Sequence, residues 1–63
     1  MPMIRIEMFE GRTIEQKRAC AKAVTQAFIH TCGGTPESVS VIFTDVAKQD
    51  WANAGRLYSD PKE

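Results

Sequence analysis

The stretch Thr13-Ile14-Glu15-Gln16-Lys17-Arg18-Ala19-Cys20-Ala21-Lys22-Ala23-Val24-Thr25-Gln26-Ala27-Phe28-Ile29-His30-Thr31-Cys32-Gly33-Gly34 decides the fold. Thr13 followed three residues later by Gln16 is a capping box, in which each side chain satisfies a backbone N–H at the helix start. Ala21, Val24, Phe28 and Thr31 recur at helical spacing, and Cys20, Ala27 and Cys32 widen them into an apolar stripe. Lys17, Arg18, Lys22 and Gln26 fall mostly on the wet side and read as a solvated face. Gly33-Gly34 stops the helix, and Pro36 marks the break. The pattern predicts a helix from Ile14 to Cys32. His30 in its last turn puts a partial positive charge where the helix dipole favours one, a structural role.

Working outward, Pro2 to Phe9 reads as a strand. Ile4, Ile6 and Met8 alternate with Arg5 and Glu7 at period two. Met3 and Phe9 make the other face partly apolar, as in a sheet covered on both sides. Glu10-Gly11-Arg12 is the turn into the helix. After the helix, Val39 to Val46 is a second strand, with Val39, Val41 and Phe43 facing one way and Ser40, Ile42 and Thr44 the other. Strand, helix, strand is a β-α-β unit, so the two strands are expected to be parallel with a right-handed crossover. In the tail, Asp45 to Trp51 has room for a helical turn. Ala52-Asn53-Ala54-Gly55 looks like a turn, Arg56-Leu57-Tyr58 like a short strand, and Ser59 to Glu63 like a loose end. With no repeat or linker, residues 1–63 are expected to form a single α+β domain.

Sixty-three residues bury only ~60% of their unfolded surface, so one core layer is marginal. Chains this small need disulfides, a metal or oligomerisation. Cys20 and Cys32 on one helix lie ~18 Å apart along its axis, too far to bridge. The one histidine has no close Cys/His spacing for a metal. Oligomerisation remains, and 43% hydrophobic residues suit it. Two strands are also too few for a stable sheet, and both edges invite pairing. A second copy is therefore expected to complete the sheet. Eight basic and eight acidic residues cancel, which argues against nucleic acid. No apolar run approaches the ~20 residues of a membrane span. Reduced cysteines without an export signal lead us to expect a cytoplasmic protein.

Chemistry is first suggested by Pro2. A residue this small behind the initiator is normally exposed by trimming of Met1, which would leave a secondary amine. An α-amino group titrates near pH ~8, and burial against apolar walls lowers that further because the charged form loses solvation. A neutral amine at the start of a strand can serve as general base. Equally, proline is tolerated there because no ladder donor is needed. Arg12 offers a two-pronged donor for a carboxylate beside a helix N-terminus, or is a solvated turn residue. Some eight extended residues put Pro2 and Arg12 ~25 Å apart. One chain cannot bring both to a small substrate, whereas an antiparallel neighbour strand can. Trp51, the sole tryptophan, either walls an apolar pocket or plugs an interface. Ser40, on the second strand's polar face, has no histidine to activate it and reads as structural.

Three features together resemble the 4-oxalocrotonate tautomerase family. They are Pro2, the block Glu10-Gly11-Arg12-Thr13 followed by Glu15-Gln16-Lys17, and the run Val39-Ser40-Val41-Ile42-Phe43-Thr44-Asp45-Val46-Ala47-Lys48. The similarity covers nearly the whole chain. It implies a β-α-β fold with a short C-terminal hairpin, assembled as a homohexamer (a trimer of dimers). It also implies a cofactor-independent enol–keto tautomerase of small unsaturated 2-hydroxy or 2-oxo acids. Pro2 matches the proline that shuttles the proton, Arg12 the arginine that binds the distal carboxylate, and Trp51 a phenylalanine that keeps the pocket apolar. Ser40 departs from the pattern. It stands where the best-known members carry a second arginine, which puts the dicarboxylate 2-hydroxymuconate in doubt. Two alternatives accompany this expectation. One is a hydratase or dehalogenase of unsaturated acids, with Asp50 or Glu7 activating water. The other is a weakly active oligomeric scaffold, favoured by Ser40 and by any retention of Met1.

Overall fold

The computed structural model describes residues 2–61. The chain runs β1 (Met3–Phe9), α1 (Ile14–Cys32), a 3-10 turn (Pro36–Ser38), β2 (Ser40–Val46), a second 3-10 turn (Lys48–Asp50), β3 (Ala52–Asn53) and β4 (Arg56–Leu57). β1 and β2 are parallel, in a register that runs from Met3 opposite Ser40 to Phe9 opposite Val46. Two further bonds close the ladder: the Ser40 N–H donates to the Pro2 carbonyl (3.1 Å) and the Glu10 N–H to the Val46 carbonyl (3.0 Å). The β-α-β unit is thus as expected. β1 starts one residue later than Pro2, and β2 one later than Val39, which the Pro36–Ser38 turn holds by its N–H to the Pro36 carbonyl.

Both halves of the capping box form. The Gln16 N–H donates to Thr13 Oγ1 (3.1 Å) and the Thr13 N–H to Gln16 Oε1 (2.9 Å). At the other end Gly33, at φ 87°, donates its N–H to the Ile29 carbonyl (3.0 Å). The stripe that meets the sheet differs from the expected one. Lys17, Ala21, Val24, Thr25, Phe28 and Ile29 are half-buried, while Cys20, Ala27, Thr31 and Cys32 are exposed. Lys17 is therefore not on the wet side. Its Nζ pairs with Asp45 Oδ2 at 2.7 Å and fastens the first turns of α1 to β2. Ile4, Ile6, Met8, Val41 and Phe43 lie half-buried on this helix side. Met3 (51% exposed) and Ile42 (40% exposed) lie on the opposite, open face.

The tail is more ordered than its composition suggests. β3 and β4 form an antiparallel hairpin, Ala52 opposite Leu57 and Asn53 opposite Arg56. Its two-residue loop has both residues at positive φ, Ala54 at 55° and Gly55 at 78°. That is the primed turn whose twist matches a tight hairpin. Asp60 is also held, which closes a turn over Tyr58 and Ser59 where a loose end was expected. The Leu57 N–H donates to Asp60 Oδ2 (3.1 Å), and the Asp60 N–H to the Leu57 carbonyl (3.0 Å). The expectation of a loose end for Lys62 and Glu63, like that of Met1 removal, lies outside the described residues.

Among the described residues no side chain is fully buried. The chain measures 48 × 24 × 15 Å with a radius of gyration of 15.2 Å, against ~11 Å for a compact domain of this length. Its accessible surface is 5087 Å², where a compact protein of this mass exposes ~4,000 Å². A single chain thus leaves about 1,000 Å² uncovered that a self-contained fold would enclose. Among the described residues no helix is long and apolar enough to cross a membrane.

Candidate active site

The residues singled out by their chemistry sort to the two ends of β1. Pro2 stands just before the strand, with its carbonyl bound by the Ser40 N–H at 3.1 Å. Only its carbonyl side enters the ladder, so its nitrogen lies at the sheet's end. Ser40 is half-buried beside it, opposite Met3 and on the open face. Arg12 follows the far end of the strand. It lines a depression of about 230 Å³ with Met8, Gln16, Lys17, Cys20 and Phe43, on the helix side.

Trp51 is also at the far end. Its ring packs on Phe9, the last residue of β1, with centroids 4.5 Å apart and planes at 48°. Tyr58, just past the hairpin, packs on both: 5.0 Å from Phe9 and 6.1 Å from Trp51. The Tyr58 N–H reinforces this by donating to the Trp51 carbonyl at 2.9 Å. Trp51 is half-buried and shares a second depression, of about 320 Å³, with Glu7, Val46, Asp50 and Ala52. Seven residue steps at ~3.3 Å put ~23 Å between Pro2 and Phe9. The chain thus brings Pro2 to Ser40, and holds Arg12 and Trp51 at the opposite end of the sheet.

The family model described as "Tautomerase enzyme" matches residues 2–60. The chain belongs to the tautomerase family. It is therefore an enzyme of the isomerase class. A probable tautomerase of Ralstonia nicotianae is 40% identical over 60 residues, covering 95% of this chain and 92% of that protein. The 2-hydroxymuconate tautomerase of Bacillus subtilis is 40% identical over 60 residues, covering 95% of this chain and 97% of that one. In three dimensions the chain superposes on YwhB, a homologue of 4-oxalocrotonate tautomerase, with a TM-score of 0.91 at 38% identity. That match spans 97% of this chain and 100% of the other.

For this tautomerase, Phe9 and Tyr58 are the residues that sequence reasoning passed over. Phe9 reads as an ordinary strand residue, and Tyr58 lies in an irregular tail. Nothing in their spacing announces that they converge on Trp51, because the hairpin alone folds the tail back onto β1. Their aromatic character was the one available signal.

Proposed function

We propose that this tautomerase interconverts enol and keto forms of small unsaturated 2-hydroxy or 2-oxo acids, with Pro2, freed by loss of Met1, as general base and acid. The observation that carries the reading is the position of Pro2. It heads β1 with its nitrogen outside the ladder, in a chain that the tautomerase model matches from residue 2 onward. The neutral amine accepts the enol O–H proton while the C–C double-bond electrons begin to shift. The resulting ammonium then delivers that proton to carbon, leaving the ketone and the free amine. No cofactor is called for, because both protonation states are accessible near neutral pH once apolar walls depress the amine's pKa.

Arg12 and Trp51 serve this chemistry from another subunit. A second copy whose β1 runs antiparallel along the free edge of this β1 brings its far end beside Pro2. Arg12 of the partner subunit then holds the substrate carboxylate, and Trp51 of the partner subunit covers the open face where Ser40 lies. The uncovered surface and the open sheet edge support such pairing. We extend it to a homohexamer of three such dimers, in keeping with the family resemblance, acting in the cytoplasm. The similarity to a 2-hydroxymuconate tautomerase supports the substrate class. Ser40 beside Pro2 supports a preference for acids with one carboxylate over two.

Pro2→Ala is expected to slow ketonisation of phenylenolpyruvate by 10²-fold or more, the usual weight of a general acid–base group. Undiminished turnover would remove the mechanism. Intact mass is the companion measurement: the active species lacks one methionine. A second reading has one observation in its favour, since Glu7 and Asp50 share the depression beside Trp51. A carboxylate there suits activation of water for hydration or dehalogenation of unsaturated acids. Halide release from a 3-haloacrylate would decide for it.

A further inference from the structure

We propose that Tyr58 is a positioning residue for the active site, fixing the indole of Trp51 through its ring. The proposal rests on Trp51 being a wall of the site, as argued above. Trp51 emerges from a 3-10 turn in extended conformation, and the four residues after it, Ala52 to Gly55, are all exposed. That hairpin offers the indole little to lean on. What holds it is a three-ring cluster assembled from distant parts of the chain. Phe9 of β1 meets the indole at 4.5 Å, and Tyr58 lies nearly parallel to it, 29° between planes, at 6.1 Å. Phe9 also touches Tyr58 at 5.0 Å, so each ring braces the other two. The backbone bond from Tyr58 to Trp51 fixes their spacing whatever side chain stands at 58. The tyrosine ring is therefore separable from the hairpin itself.

The consequence is chemical as well as steric. A freely turning indole admits water to the amine it should shield. Desolvation lowers an amine's pKa, so a wetter site raises it and moves the ascending limb of the pH–rate profile to higher pH. Because Tyr58 acts by its ring, Tyr58→Phe retains function, while Tyr58→Leu, which keeps apolar bulk without the flat ring, does not.

The chain has one tryptophan and one tyrosine, so tryptophan emission reports the surroundings of Trp51 in every subunit. In the unmodified protein, exciting Tyr58 is expected to produce Trp51 emission with little tyrosine emission. Well-resolved tyrosine emission would overturn the proposal without any variant. In Tyr58→Leu and Tyr58→Ala, Trp51 emission is expected to shift to longer wavelength at unchanged oligomer size. The kcat/KM for phenylenolpyruvate should fall about tenfold, and its ascending limb should move to higher pH. Tyr58→Phe should restore both. Unchanged emission and an unmoved limb in the leucine and alanine variants would sink the idea. Emission is read without substrate, so it stands even if the unmodified protein proves inactive on enols, an outcome that counts against the proposed function instead.

Discussion

On the proposed function, Ser40 is the residue at which the choice of substrate would be made. Its N–H is committed to the Pro2 carbonyl, so the side chain offers a single neutral hydroxyl beside the reacting nitrogen. A guanidinium at that position would add charge-assisted hydrogen bonds, each contributing about 1.5–3 kcal/mol. Ser40→Arg is accordingly expected to raise kcat/KM for 2-hydroxymuconate by roughly one to two decades, with a much smaller effect on a monocarboxylate enol. Steady-state kinetics on the two substrates checks it, and equal gains on both would contradict the specificity argument. Pro2 has its own signature at this scale. Below the amine's pKa the base is protonated, so the rate is expected to climb with pH to a plateau.

At the scale of elements, α1 and the hairpin illustrate opposite kinds of local sequence logic. Two backbone N–H groups at the helix start, those of Thr13 and Gln16, are satisfied by the capping box, and Thr13→Ala is expected to destabilise the fold by about 1 kcal/mol in urea denaturation. The Lys17–Asp45 pair ties α1 to β2, but its side chains remain 28% and 39% exposed. Its contribution is correspondingly small, under ~1 kcal/mol. The hairpin carries a conflict instead. Ala54 sits at φ 55°, where its Cβ crowds the backbone, a strain of about 1–2 kcal/mol for an ordinary residue. Asparagine before glycine is the preferred pair for such a loop. Ala54→Asn should therefore stabilise the protein by about 1 kcal/mol, seen as a higher melting temperature with activity preserved. A lower melting temperature would mean that the loop conformation is wrongly described.

At the scale of the whole molecule, the proposed function joins the surplus of exposed surface to the separation of Pro2 from Arg12 and Trp51 through one expectation: a site built between chains. Complementation tests it. Pro2→Ala and Arg12→Ala proteins, each inactive alone, are expected to regain activity when refolded together. Random pairing across a two-fold interface rebuilds about a quarter of the sites with both residues intact. Recovery of nothing, with mixed oligomers verified by mass, would place both residues in one chain's site and contradict the geometry. Light scattering of the native protein should return six times the chain mass.

Much of this was legible from residues alone. The capping box, the double glycine and the period-two alternations bounded α1 and both strands to within a residue, because those signals are local. The candidate site residues were legible for a related reason: proline, arginine and tryptophan stand out by chemistry and by motif. Other features depended on which surfaces meet. Lys17 looked like a solvated lysine until β2 brought Asp45 to it, and the apolar stripe of α1 turned away from Cys20 and Cys32. Phe9, Trp51 and Tyr58 form one cluster only because a two-residue loop reverses the tail. By itself the sequence determined a β-α-β chain that heads its first strand with a proline. Only the tertiary structure decided that Pro2 and Ser40 share one end of the sheet while Trp51 is braced at the other. Contacts between residues far apart along the chain leave no trace in its local periodicity.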